Sequence, residues 1–192
     1  MKKVYVSWND VQRQVQELVR QMWLDQWTPD YVVGITRGGL VPANLISQYL
    51  DCRMETLQVR LRDGDESECE SNLWMAEDAF GYQHDAELAR GVHDTAAKKN
   101  ILIVDDINDS GATLNWIRRD WASSCLPDHD RWNSVWGDNV RIATLYDNES
   151  SKCITDVDYA AEVINKHNDP QWIVFPWEEW WRRWNPEQQH VD

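Results

Sequence analysis

Residues 101–113 read ILIVDDINDSGAT: an apolar run, then Asp105, Asp106 and Asp109, then Ser110, Gly111, Ala112 and Thr113. Carboxylates this close together have plain explanations, either a solvated acidic loop or an Asx-rich helix cap. The order of the segment offers a sharper one. In parallel α/β sheets ligands collect beyond the carboxyl ends of strands, where loops lead into helix N-termini, and ILIVDD ends a strand at such an edge. Gly111 can adopt positive φ, which lets successive backbone N–H groups of the turn converge, and Thr113 opens a helix whose dipole favours an anion. The turn therefore suits a phosphate. Asp105 and Asp106 beside it suit sugar hydroxyls or a magnesium ion, so the segment is a candidate site for both ends of a ribose phosphate.

The elements that must hold this turn follow from apolar periodicity. After a short KVYVSW segment, Val11, Val15, Leu18, Val19 and Met22 recur at helical spacing, with Ser7 or Asn9 available as a cap. YVVGIT (31–36) is brief and β-branched, a buried strand that runs through RGG into the helical pattern of LVPANLISQYL. METLQVRL (54–61) is a second strand, NILIVDD (100–106) a third, ATLNWIRRDWAS a helix, VRIATLYD (140–147) a fourth strand and QWIVFPW (171–177) a last one. Strands that alternate with helices predict an α/β fold built on a mostly parallel twisted sheet flanked by helices. The segment between METLQVRL and Ile101 opens with RDGDESECESN and holds few β-branched residues. Connections beyond about 12–15 residues are usually functional lids or disordered segments, so 62–99 is expected to be a long acidic lid or insertion.

Bulk composition narrows the function classes. A chain of 192 residues with 42% hydrophobic content supports one domain with a real core. A net charge of −14 and a pI near 4.7 argue against generic nucleic-acid binding, which depends on lysine and arginine neutralising phosphates. A local nest of amides or a divalent cation still allows a specific small anion. Cys52, Cys69, Cys125 and Cys153 are far apart and form no CxxC pair, so neither a zinc site nor a disulfide framework is expected. His84, His93, His129, His167 and His190 show no ligand spacing. With no signal peptide and no membrane-length apolar run, a cytoplasmic protein without membrane or nucleic-acid partners is expected. The 13 tryptophans include the crowded run WEEWWRRW (177–184), expected to serve subunit contact or to cover the sheet.

VDDINDSGAT resembles the phosphoribosyl-diphosphate (PRPP) signature of type I phosphoribosyltransferases, in which a hydrophobic strand leads to two acidic residues and then Asp-Thr/Ser-Gly-x-Thr. VSWNDVQRQVQELV and VVGITRGGLVPANLISQYLDC are similar to the start of the xanthine-guanine and hypoxanthine enzymes, where a Ser/Thr-Arg-Gly-Gly turn binds pyrophosphate. TLYDNES sits where that family has its base-recognition strand, and QWIVFPWEE resembles its C-terminal Trp-Ile-x-x-Pro-Trp-Asp/Glu segment.

The resemblance implies the type I phosphoribosyltransferase fold over residues 1–192, with a flexible lid and a small C-terminal hood. Residues 150–192 would form the base-binding hood and Trp-rich tail. It implies magnesium-dependent transfer of the 5-phosphoribosyl group from PRPP to hypoxanthine, guanine or xanthine, releasing pyrophosphate, in purine salvage. Asp105 and Asp106 would bind the ribose hydroxyls directly or through Mg2+, and Asp109, Ser110, Gly111, Ala112 and Thr113 would hold the 5′-phosphate. Arg37 and Gly38 would contact the pyrophosphate. Asp109 would act as general acid/base near the purine N7. Trp172 would stack on the base, Ile173 would offer its backbone to the base edge, and Glu178 would help place a second magnesium. A homo-oligomer, dimer or tetramer, is the family habit.

Two departures from the family pattern stand out. The family places a lysine on the base-recognition strand to donate to the purine 6-oxo group, whereas this chain has Asn148, a neutral and shorter donor, beside Asp147. The 62–99 segment is longer and more acidic than the family's flexible loop and lacks its Ser-Tyr pair, so Arg60, Arg62, Arg90 or magnesium would have to offset its repulsion of a polyanion. A noncatalytic PRPP or nucleotide sensor of the same fold, or an enzyme acting on another nitrogen nucleophile, are the alternatives.

Overall fold

A strand covered by helices on both faces must be apolar at consecutive positions, and residues 31–35 are buried without a break. The computed structural model describes residues 1–61, 66, 68–82 and 98–178. Its elements are β1 (Lys2–Tyr5), α1 (Trp8–Leu24), β2 (Tyr31–Thr36), α2 (Leu40–Leu50), β3 (Arg53–Gln58), α3 (Leu73–Phe80), β4 (Ile101–Asn108), α4 (Ala112–Ser124), β5 (Val140–Asn148), β6 (Tyr159–Ile164) and β7 (Gln171–Val174), with a 3-10 turn at Asp130–Ser134. Five strands form a parallel sheet in the order β3-β2-β4-β5-β6, and β1 pairs in parallel with β7 in a separate two-stranded sheet. This is the mostly parallel sheet flanked by helices that the alternation of strand and helix patterns predicts.

Period-two alternation sorts the strand residues into two cores. Tyr31, Val33, Ile35, Ile101 and Ile103 point to one face, where Met75, Phe80, Ile117 and Trp121 of α3 and α4 cover them. Val32, Leu102 and Val104 point to the other, against Val11, Leu18 and Met22 of α1 and Ile46 of α2. Helix α1 starts where Ser7 and Asp10 form a reciprocal capping box, satisfying two of the otherwise orphaned N-terminal amides. Among the described residues, no helix is long and apolar enough to cross a membrane.

Two elements differ from the expectation. The middle of the segment expected to be a lid or insertion is helix α3, started by Asn72 accepting from the Met75 amide and closed by Gly81 at φ +74. Its Met75, Ala76, Ala79 and Phe80 are core residues, and Asn139 Nδ2 donates to both Ala79 O and Lys99 O at 2.9 Å, tying α3 to the start of β4 and β5. Positions 62–65, 67 and 83–97, with Arg62 and Arg90, lie outside the described residues. Strand β6 carries no strong apolar run because it is the sheet edge: only Tyr159 is buried, and Glu162 and Val163 are exposed.

The strand order places a reversal where the site needs it. From β2 the chain passes through α2 to β3 on one side, then crosses back to β4 on β2's other side, so the connections leaving β2 and β4 diverge. The cleft at their carboxyl ends is the topological switch point at which open α/β sheets bind ligands.

Candidate active site

Two loops meet at that cleft. The first follows β2: the Thr36–Arg37 peptide is cis, Arg37 is exposed, and Gly38 and Gly39 lead into α2. Close approach to backbone requires glycine at Gly39, and Gly38 packs against a side chain. A Cβ at Gly38 would lie 2.2 Å from Asp106 Oδ2, and one at Gly39 would lie 2.1 Å from Val104 O. The Arg37-Gly38 turn therefore rests directly on the Asp106 carboxylate near the end of β4, which joins the expected pyrophosphate contacts to the expected ribose contacts.

Asp105 and Asp106 sit at the mouth of the cleft, half-buried, and Asp105 Oδ1 accepts from the Asp106 amide at 3.0 Å. Burial, reinforced by the neighbouring Asp106 charge, holds the Asp105 carboxyl well above the usual carboxylate range. Burial also raises Asp106, with the Glu178 carboxylate adding repulsion, and its pKa is pushed up to about 6. Glu178 is thus electrostatically part of this cluster although it comes from the far end of the described chain. Its Oε2 accepts from the Phe175 amide at 3.1 Å, which fixes the turn that follows β7, and Phe175 stacks on Trp177 with centroids 4.9 Å apart.

The second loop follows β4. Gly111 has φ +83, and a Cβ there would also lie 2.3 Å from Cys153 N, so both conformation and space demand glycine. Ser110 Oγ accepts from the Ala112 amide at 3.3 Å as α4 begins, and the N-cap Gly111 has no side chain to take the amides that follow, which leaves those and the helix dipole for an anion. The turn is braced from behind. Lys152 N donates to Ser110 O at 3.0 Å, Asn115 Nδ2 to Lys152 O at 2.8 Å, and Ile154 N to Asn115 Oδ1 at 2.8 Å. Asn108 Nδ2 donates to Asp147 Oδ1 at 2.8 Å and to Ser151 Oγ at 3.1 Å, locking the end of β4 to the end of β5. An anion-binding turn gains by such bracing, because amides already in place need no reorganisation on binding.

Asn148 is almost wholly buried and its carboxamide is committed to the protein: Nδ2 donates to Asp109 O at 2.8 Å, while Oδ1 accepts from Ser150 Oγ at 2.8 Å and from Lys166 N at 3.0 Å. Lys166 was not anticipated from the sequence. It lies two residues beyond β6, and its Nζ is 2.9 Å from Asp109 Oδ2. The signal that could have found it is a basic residue just past a strand end, hidden because β6 itself was not recognised. Trp172 is half exposed on β7, opposite Lys3 of β1, and Ile173 beside it is buried opposite Val4. These two residues belong to the small two-stranded sheet, which reaches the cleft through the turn carrying Glu178.

Arg37, Gly38, Asp105, Asp106 and Glu178 thus gather around one side of the cleft, and residues 109–113 with Asn148 and Lys166 around the other. Among the described residues, no group of three or more His, Cys, Asp or Glu side chains could hold a metal ion by itself.

A family profile described as "Phosphoribosyl transferase domain" matches residues 5–182. Xanthine-guanine phosphoribosyltransferase of Cereibacter sphaeroides is 33% identical over 183 residues, covering 92% of this chain and 87% of that protein. The solved xanthine-guanine-hypoxanthine phosphoribosyltransferase of Helicobacter pylori superposes with a TM-score of 0.62 at 20% identity, covering 95% of this chain and 97% of the other. Purine phosphoribosyltransferase from Pyrococcus horikoshii gives a TM-score of 0.60 at 24% identity over 93% and 96% of the two chains. With the domain profile matched over nearly the whole chain and a relative one-third identical along its length, the chain belongs to the phosphoribosyltransferase family.

Proposed function

We propose that the protein transfers the 5-phosphoribosyl group of PRPP to a 6-oxopurine, hypoxanthine, guanine or xanthine, with release of pyrophosphate, as a magnesium-dependent enzyme of purine salvage. The observation that carries this reading is the direct contact of two loops across the switch point: Gly38 lies against Asp106, so a single ligand can touch the pyrophosphate loop and the ribose carboxylates at once. The names of the similar proteins support a purine as acceptor.

The donor set fits magnesium. Asp105 and Asp106 would hold it, with Glu178 close enough to favour a second ion, and the remaining positions suit substrate oxygens and water, since Mg2+ prefers one or two carboxylates plus phosphate over an all-protein cage. A bound ion would supply positive charge against the negative charge developing on the leaving pyrophosphate and would offset the repulsion among these carboxylates. The protein's own residues do the positioning. The amides of 109–113 hold the 5′-phosphate, Asp105 and Asp106 orient the ribose hydroxyls, and Arg37 with the Gly38 amide contacts the pyrophosphate. Bond formation at N9 makes the purine more acidic, and the Asp109 carboxylate at N7 shares the proton, help typically worth about 10²–10⁴-fold. Trp172 offers the base a stacking face, Ile173 offers its backbone to the base edge, and Asn148 holds Asp109 in place. A homo-oligomer in the cytoplasm completes the reading.

Pyrophosphate release in the presence of PRPP, magnesium and a panel of bases tests it. Hypoxanthine, guanine or xanthine should support turnover, and Asp109→Ala should lower it by about 10²-fold or more while circular dichroism and the melting temperature stay near those of the parent. Absence of turnover with every purine and pyrimidine, together with retained PRPP binding by calorimetry, would instead establish a sensor of the same fold.

A further inference from the structure

A purine whose N7 faces Asp109 presents its 6-substituent on the same edge, because N7 and O6 of a 6-oxopurine are neighbouring acceptors. Whatever stands beside the Asp109 carboxylate therefore meets that substituent. Strand β5 ends in Asp147 and Asn148, neither of which is cationic, and the Asn148 carboxamide is spent on Asp109 O, Ser150 Oγ and Lys166 N. The group that does stand there is the Lys166 ammonium, 2.9 Å from Asp109 Oδ2. Its side chain is only 17% exposed, against 50% for Asp109, so a buried stem delivers the charge to a partly open carboxylate.

The delivery is built into the fold. β6 pairs with β5 so that Ile164 lies opposite Asn148, and the chain then turns with Lys166 N donating to Asn148 Oδ1 at 3.0 Å. The same carboxamide donates to Asp109 O at 2.8 Å. One buried asparagine thus fixes both the acid/base residue and the lysine beside it. An ammonium carries three donors, and the Asp109 ion pair engages one of them.

On the reading of Asp109 as the residue at N7, we propose that Lys166, reaching in from the end of β6, is the residue that selects the 6-oxo group of the base. Its remaining donors face O6, a charge-assisted hydrogen bond that a 6-amino group cannot accept. A 6-aminopurine would turn its own N–H donors toward a cation and leave both unpaired, which is how a polar site rejects a close analogue. Asn148, at the position where the family's lysine would fall, then serves as the bracket that holds the substitute donor.

The test is a cycle between protein and base. kcat/KM is measured for hypoxanthine, for adenine and for unsubstituted purine with the full-length enzyme, Lys166→Met and Lys166→Gln, at saturating PRPP and magnesium. Lys166→Met should lower kcat/KM for hypoxanthine by about 10- to 100-fold, largely through KM for the base, lower it for purine by a clearly smaller factor that reports the loss of Asp109's ion-pair partner alone, and leave KM for PRPP unaltered; Lys166→Gln should recover part of the hypoxanthine loss. The parent enzyme alone should prefer hypoxanthine to both other bases. Equal losses for hypoxanthine and purine, or no loss for either, would overturn the role of Lys166 while leaving phosphoribosyl transfer intact. A parent enzyme that transfers to no purine at all would overturn the underlying reading and this inference with it.

Discussion

Asp106 shows what the site demands of one side chain. Its folded-state pKa, about 6, lies above its ordinary value of 3.8. Between those values the native state holds a proton that the unfolded chain has released, so this group's contribution is fully present below the lower value and is lost as pH rises through the upper one. Asp106→Asn removes the penalty of an ionised carboxylate in that position. Without divalent cations, the variant should be more stable than the parent by roughly 1–3 kcal/mol at pH 8, with the gap closing toward pH 4, as read by urea denaturation. It should also lose most phosphoribosyl transfer, since a functional carboxylate is held at the expense of stability. A variant less stable at pH 8 would contradict the account. The sequence made Asp105, Asp106 and the 109–113 turn legible because their roles follow from local order along the chain. Lys166 was illegible for the opposite reason: it sits 57 positions from Asp109 and reaches it only through the pairing of β5 with β6.

At the scale of elements, the buried strands announced themselves through β-branched runs, and α1 and α4 through helical spacing. The failures share a cause. β6 is an edge strand and half polar, and α3 is a short helix in a stretch that opens with acidic, turn-like residues, so neither carries a strong period of its own; tertiary packing decides both. The difference between a lid and a core helix can be measured. Phe80 is 1% exposed, with Trp132 5.3 Å and His129 5.1 Å away between ring centroids, and the Arg131 guanidinium over its ring at 5.1 Å. Phe80→Ala should therefore destabilise the protein by about 3–5 kcal/mol in chemical denaturation. If this stretch were a detachable lid, the same substitution would change stability by less than about 0.5 kcal/mol and would act on KM for PRPP instead.

The whole molecule carries a net charge of −14 and yet, on this reading, binds a polyanion. The field must be reversed locally. The start of α4, whose N-cap Gly111 makes no side-chain hydrogen bond, and the amides of the 109–113 turn favour an anion, but Asp105, Asp106 and Glu178 oppose it, so a divalent cation should decide the balance. PRPP with magnesium at about 100 times its Kd should raise stability by about 2.7 kcal/mol in a thermal-shift assay, whereas PRPP with chelator should give almost none. Equal stabilisation in both conditions would place the ligand away from the carboxylates. The fold serves this arrangement by putting the β2 and β4 loops on either side of one topological reversal, so that the residues needed at two ends of a ligand come from segments about 70 positions apart.

On this reading the cleft joins a ribosyl phosphate to a 6-oxopurine. Mass spectrometry of the products formed from PRPP, magnesium and an equimolar mixture of hypoxanthine, guanine, xanthine, adenine, uracil and cytosine tests it most directly. The products should be 5′-monophosphates of the 6-oxopurines, with the adenine and pyrimidine nucleotides scarce or absent. A mixture recovered without any new nucleotide, or with a pyrimidine nucleotide as the main product, would contradict it.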